Sequence, residues 1–400
     1  MTEAREFDVA VVGASVAGCT AARLFAQAGA RVALIERRPD PGAYKVVCTH
    51  AVLPTATATM ERLGLAPLLL ERGVPRTRGE FWTPYGGWFA LPESIPDGWG
   101  VTRRTLDPLL RDLAAGTPGV ELFAGWTARR VLDVGGRPAG IEVSDRGHRS
   151  LSIRSRLLVG ADGRGSAIAR LAHVPGRVLP HNRCFYFASW SGVEHARAPG
   201  VPTARLWMLD PDGAAQFPNE DGVTVLVAGF HRSRVDEVRA DPEAAYATAL
   251  ASLPDGPDLS GARRVSKLLG KLEMPNVMRP AAQPGLAFVG DAALATDPFF
   301  GVGLSFAFQS AEWLVDETGG VLDDRGRLDA ALRRYRRRFA WRLGPHHLQI
   351  ADFAIGRRTR PLERRLFRRA AADPAVAGTF GEVLVRRRSP LRLADPRLYA

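Results

Sequence analysis

An α/β fold is predicted, in which one domain is interleaved with a second, sheet-rich domain and followed by a helical C-terminal segment. Three features predict it. Residues 9–12 and 31–36 are short apolar runs on either side of 17–28, whose composition is helical, giving the order strand, helix, strand. Short strand-like runs that stop at glycine recur far along the chain, at 157–160 and 286–290. Between them, 178–266 reads mostly as strands, with 185–190 and 223–230 the clearest runs.

Each element follows from local chemistry. A Pro/Gly-rich stretch from Pro39 leads through 44–54 to a helical segment, 56–63, stopped by Gly64. Residues 76–99 alternate aromatics with Gly and Pro, as hairpins do, and a helix is predicted from about 105 to 115. Strands are expected at 120–123, 128–134 and 140–143, a helical insertion at 242–253, a long helix at 302–318, and helical structure from 328 onward. The first domain is thus predicted to comprise 1–75, 101–176 and 274–320, the second 76–100 and 177–273, and the C-terminal helical segment 321–400.

With 400 residues, 46% of them hydrophobic, the chain can bury a core of that size. Three cysteines (Cys19, Cys48, Cys184) argue against a disulfide framework, and the short run at 9–12 is too short for a leader or a membrane span, so a cytoplasmic location is expected. The formal charge of +12 comes from arginines crowded at 333–338, 357–369 and 386–388. They read either as a solvated helix face or as a dock for an acidic carrier protein that presents the substrate; no nucleic-acid motif accompanies them. The adjacent His346 and His347 do not share a helix face and have no ligand cluster around them, so no metal site is expected.

The sequence Gly13-Ala14-Ser15-Val16-Ala17-Gly18 stands between the first strand and the first helix, where a dinucleotide fingerprint brings phosphate to a helix N-terminus. Gly13 allows the tight turn and Gly18 the close approach of helix and sheet. Ser15 replaces the middle glycine of G-x-G-x-x-G, but its side chain is small and can donate a hydrogen bond. Glu36, ending the second strand, is placed to accept the adenosine ribose hydroxyls. The unit is read as a Rossmann-type FAD-binding domain.

Two further segments carry a family resemblance. Gly160-Ala161-Asp162-Gly163, continued to Ser166, and Gly290-Asp291-Ala292-Ala293, continued by Pro298, Gly301 and Gly303, resemble the D-G and G-D motifs of FAD-dependent oxidoreductases of the para-hydroxybenzoate hydroxylase fold. Arg103, with Leu106 and Asp107, looks like that family's R-x-x-L-D helix start. The resemblance runs from residue 9 to about 313 and implies that Arg103, Asp162, Gly290, Asp291, Gly301 and Gly303 contact the cofactor. Read physically, an aspartate after a strand can accept from ribityl hydroxyls, and a helix opened by Gly301 and Gly303 can face the flavin N1/C2=O edge with its positive end. Pro298 then offers a donor-free wall beside the ring.

The chain also departs from the hydroxylases, with Leu294 where many have histidine. Asp297-Pro298-Phe299-Phe300 looks more like flavin halogenases and geranylgeranyl reductases, and Lys45-Val46-Val47-Cys48-Thr49-His50 resembles the K-x-C-G loop of the reductases, with Thr49 in place of glycine. Phe217-Pro218 resembles a remnant of their F-P motif. The Trp-x-Trp-x-Ile-Pro signature of tryptophan halogenases is absent. Cys48 and His50 are the reactive side chains expected near the flavin, although a buried small hydrophobe and a loop residue bonded to backbone are equally open readings. The strand aromatics Phe185, Tyr186, Phe187 and Trp190 divide between core and pocket lining. The resemblance implies FAD-dependent monooxygenation of a small apolar or aromatic, secondary-metabolite-like compound, with NADH or NADPH as transient reductant or an external reductase in its place. A geranylgeranyl-reductase-like activity and a non-catalytic flavoprotein binding module are the alternatives.

Overall fold

A computed structural model describes residues 3–193 and 201–399. The expected strand-rich span 178–266 therefore includes 194–200, which lie outside the described residues. The first sheet is built around β1 (Glu3–Val12), whose two neighbours both run parallel to it. On one side, after α1 (Val16–Gln27), lies β2 (Val32–Glu36), in register Val9 with Val32 and Val12 with Ile35. Beyond β2, and following α2 (Arg103–Ala115), comes β3 (Val120–Ala124). On the other side lie β4 (Ser150–Gly160) and β5 (Leu286–Phe288). Parallel strands need covered faces, and their composition provides for it: Val9, Ala10, Val11, Ala33 and Leu34 are fully buried. The covering comes from α1, α2 and α3 (Gly303–Thr318), with α1 packed on both others.

The second sheet is mostly antiparallel and contains ten strands among the described residues. Its path runs from Arg263–Arg264 through Arg183–Ser191, Val223–His231, Gly213–Pro218 and Thr203–Met208 to Arg76–Thr83, Gly98–Gly100 and Ala51–Val52. The period of two sorts the aromatics of Arg183–Ser191. Cys184, Tyr186 and Ala188 face a cluster with Trp207, Phe230 and the helix Pro242–Ala251, while Phe185 and Phe187 face the opposite way. All three strand aromatics Phe185, Tyr186 and Phe187 are core; Trp190 is partly buried and donates to the Tyr246 hydroxyl at 3.2 Å.

The C-terminal residues form α4 (Arg325–Ala354), α5 (Pro361–Ala372) and α6 (Pro374–Leu384). Leu366, Phe367, Phe380 and Leu384 are buried in the same cluster as Phe185 and Phe187, each adding about 1.5–3 kcal/mol by leaving water. In this arginine-rich tail α5 and α6 thus form the outer wall of the second sheet, whereas α4 packs on the first core through Leu332, Tyr335 and Phe339. Many of the tail's guanidinium groups are held in place: Arg357 by Asp352 and Glu363, Arg334 by Glu317, and Arg386 in the interior. Arg333, Arg336, Arg337, Arg365 and Arg368 remain on the surface.

Several boundaries move for physical reasons. A helix at Leu65–Glu71 follows the expected one because Gly64, at φ 68°, is a left-handed hinge between two short helices. Polar Glu3 to Phe7 extend β1 by pairing with β4, a partner far away in sequence.

Candidate cofactor site

The turn after β1 is where the backbone is most tightly specified. Gly13 has φ 107°, and a Cβ there would lie 2.6 Å from the Ala161 carbonyl oxygen. At Gly18 a Cβ would lie 1.7 Å from the Gly13 carbonyl oxygen. The 160–163 turn thus packs directly against the 13–18 turn, and no side chain fits between them. Glu36 closes the unit: one carboxylate oxygen accepts from Ala14 N at 2.9 Å and the other from Arg38 N at 3.0 Å. Each oxygen keeps a lone pair that a ribose hydroxyl can use. Glu36→Ala is expected to weaken FAD binding by about 1–3 kcal/mol, measured by calorimetric titration of the apoprotein. An unchanged affinity would remove Glu36 from the cofactor site.

Arg103, at the start of α2, is the hub. Its side chain is buried and pairs with Asp107 one turn later at 2.6 Å. It also donates to Ser15 Oγ at 2.6 Å and approaches Cys48 Sγ at 4.0 Å. Ser15 therefore accepts from Arg103 and retains its own proton to donate to phosphate. Asp107 in turn accepts from Lys45 N at 2.9 Å, and Arg111 donates to the carbonyls of Pro41 and Ala43. Positions 103, 107 and 111 share one helix face and together hold the 41–48 loop. Asp107 and Arg111 were not foreseen as site residues, although their spacing of four was a usable signal.

On the far side, Lys45 Nζ forms an ion pair with Asp291 at 3.2 Å, bridging the loop to the G-D segment. Burial works to raise the Asp291 carboxyl, but Lys45 and Arg164 overcome it and hold the group below the usual carboxylate range. A Cβ on Gly303 would lie 3.8 Å from Asp291 Oδ1, which sets this carboxylate at the N-terminus of α3. Gly290, at φ 56°, is pressed against Ala17 of α1, and Gly301 closes the turn by donating to the Pro298 carbonyl at 3.0 Å, next to Thr49 and Ala51. Arg164, also unforeseen, fixes this segment by donating to the carbonyls of Pro275 and Thr296.

Gly13, Ser15, Glu36, Arg103, Cys48, His50, Gly290, Asp291, Pro298, Gly301 and Gly303 thus form one connected site. Asp162 contributes mainly through its backbone, against the Gly13 turn. Its carboxylate oxygens accept from Ser166 Oγ and Ile168 N and so cap the helix Ala167–Leu171. His50 has φ 59°, and its Nδ1 accepts from Arg103 N at 2.8 Å. Burial, then the Arg103 charge, push its pKa down to about 3, so the imidazole is neutral at physiological pH with its hydrogen on Nε2. A pair that the sequence does not announce, His181 Nε2 with Asp297 Oδ2 at 2.9 Å, stands immediately before Pro298. No group of side chains suited to a metal ion occurs among the described residues.

The glycine turns meet at the start of α1 with Ser15 on the loop between them, the acidic residue stands at the end of the second strand, and a carboxylate meets the N-terminus of α3. These features fit FAD and define an FAD-dependent oxidoreductase. Residues 6–344 match the family described as FAD binding domain, and the chain belongs to that family. It is 30% identical over 313 residues to digeranylgeranylglycerophospholipid reductase 1 of Methanopyrus kandleri, covering 76% of this chain and 77% of the relative. Among solved structures it resembles a flavin-dependent brominase, with TM-score 0.77, 19% identity, and 99% and 93% of the two chains covered. A geranylgeranyl bacteriochlorophyll reductase-like protein of Thermoplasma acidophilum gives TM-score 0.76 at 18% identity, covering 99% of this chain and all of that one. At these identities the structural likenesses establish the shared fold.

Proposed function

We propose that the protein uses FAD to add hydrogen across a carbon–carbon double bond of an extended apolar chain, isoprenoid in kind, with NADH or NADPH as reductant. The observation that carries this reading is the 45–50 loop. Two residues separate Lys45 from Cys48, so the likeness to the reductase loop rests on placement: Lys45 binds Asp291 of the flavin motif, and the Cys48 thiol lies beside Arg103. The relationship to the Methanopyrus reductase supports the same reading.

When bound, FAD supplies the hydride. The N-terminus of α3 would stabilise negative charge on the reduced cofactor, and Pro298 would present no competing donor beside it. The Cys48 thiol, held beside Arg103, would supply the proton to the alkene carbon that does not receive the hydride. Arg103 then stabilises the thiolate until solvent reprotonates it. His50 is ill suited to that role because it stays neutral, with Nδ1 committed to the backbone. Cys48→Ser is expected to retain stoichiometric FAD while turnover falls by about 100-fold or more. Unchanged kinetics would return Cys48 to a packing role.

Monooxygenation is the second reading, favoured by the apolar wall of Phe299 and Phe300, whose rings meet edge to face at 5.3 Å. Turnover of a geranylgeranyl lipid under ¹⁸O₂ separates the two. A product that gains H₂ without label supports the reductase, and a labelled product supports the oxygenase.

A further inference from the structure

Beyond Pro298 the chain buries two guanidinium groups that have no ion-pair partner among the described residues. Arg183, at the start of its strand, is 4% exposed, and Arg386, just after α6, is 6% exposed. Arg183 Nη2 donates to the Phe353 carbonyl at 3.0 Å, while its Nε and Nη1 have no partner among the described residues. Arg386 Nη1 donates to Gln349 Oε1 at 2.8 Å and lies 3.4 Å from His346 Nδ1, while its Nε and Nη2 likewise have none. The carboxylates acting on Arg183 from a distance, Asp297 and Asp212, are committed elsewhere, Asp297 to His181 and Phe299 N, and Asp212 to Arg234.

Both guanidinium groups lie against one aromatic triad. Arg183 sits 4.2 Å from the Phe353 ring centre and 5.2 Å from that of Phe299, and Arg386 lies 5.2 Å from that of Phe300. The three rings touch one another, with centres 5.2 to 5.8 Å apart. An aromatic face returns part of the cost of burying a guanidinium, but less than is lost by leaving a buried charge and two N–H-bearing nitrogens unpaired. All four unpartnered atoms are donors, so the missing species is an acceptor, and the charge makes it an anion.

We propose that Arg183 and Arg386, on either side of the Phe299, Phe300 and Phe353 triad, form a binding pole for a carboxylate or phosphate on an otherwise apolar substrate. The anion takes the open guanidinium edges, the rings part by rotamer change to admit it, and the apolar body extends past Pro298 toward the cofactor. The proposal deepens the reading above and rests on Pro298 bordering the flavin. It requires both charges, because each guanidinium supplies only two open nitrogens and the anion is held between them.

The test titrates FAD-loaded protein with oleate and farnesyl diphosphate, and with their uncharged counterparts oleyl alcohol and farnesol, following the flavin absorbance. The charged member of a pair should bind at least about tenfold tighter, and the pair with the wider gap identifies carboxylate or phosphate. Arg386→Met should erase the gap with FAD content unchanged. Arg183→Met should do the same from the other side of the triad and serves if the first variant does not fold. Equal binding of charged and uncharged probes by the native protein would overturn the proposal, as would a gap that survives in either folded variant. Loss of FAD from the variants would assign the guanidinium groups to the cofactor and also overturn it. Native protein that binds no FAD would instead overturn the cofactor reading itself.

Discussion

Gly18→Ala is expected to yield protein that no longer binds FAD stoichiometrically. The added methyl carbon would stand 1.7 Å from the Gly13 carbonyl oxygen and 3.2 Å from Ala161 Cβ, so the turn must move by more than about an ångström. It cannot move alone. Gly13 N is held by the Ile35 carbonyl at 2.7 Å, and Ala14 N is the group that orients Glu36. Displacing the turn therefore spoils the phosphate cradle and the ribose acceptor together. Breaking two charge-assisted hydrogen bonds to the cofactor, at about 1.5 kcal/mol or more each, costs roughly 3 kcal/mol, an affinity at least about 100-fold weaker. Overpacking costs the fold itself about 1–3 kcal/mol, so the chain should still fold. Cofactor content after purification and titration of the apoprotein measure the effect; native affinity in this variant would show that the turn yields and that the fingerprint is not the anchor.

Arg103→Leu is expected to be the most destabilising single change in the site, by about 3–5 kcal/mol, because it leaves the Asp107 carboxylate buried without its counter-ion. Asp107 is 1% exposed and would keep only the Lys45 amide as donor among the described residues. The same change releases Ser15 and Cys48, so cofactor affinity and the loop fail with it. The pairing is tested by a double variant: Arg103→Leu with Asp107→Leu should recover most of the lost stability in urea, since two apolar side chains can replace a buried pair at little cost. A loss below about 1 kcal/mol for Arg103→Leu alone would mean that water reaches Asp107 and that the hub is not closed.

The cofactor end of the molecule was legible in the sequence because its constraints are local. Gly13, Gly290 and Gly301 occupy left-handed turns, and Gly18 in the first turn of α1 a place where a side chain collides; such positions restrict residue identity directly. The substrate end was harder to read because its arrangement is non-local. Nothing near residue 183 or 386 announces that both side chains meet the aromatic turn at 299–300, or that Ala51–Val52 joins the second sheet by pairing with Trp99 and Gly100. His181 and Asp297 lie 116 residues apart. The arginine-rich tail is only partly legible for a related reason: composition reports charge and not which face carries it, and the apolar positions 366, 367, 370, 380 and 384 are what seat α5 and α6 on the second sheet.

The order in which the strands of the first sheet appear has a consequence for biosynthesis. Strand β1 is made long before its neighbours on one side, since β4 begins at Ser150 and β5 only at Leu286. During translation the early strand, helix, strand unit carries an open hydrogen-bonding edge along β1 until β4 appears, and the outer edge of β4 then waits for β5 while the second sheet pairs residues 78–82 with 203–207. Synthesis at about 5–20 residues per second keeps it exposed for many seconds. The G-D segment and α3 emerge after nearly three quarters of the chain, so the ligand that unites both ends of the cradle is captured late. Overproduction in cells short of flavin should therefore favour aggregation of nascent chains, and riboflavin supply should govern soluble yield as much as temperature does.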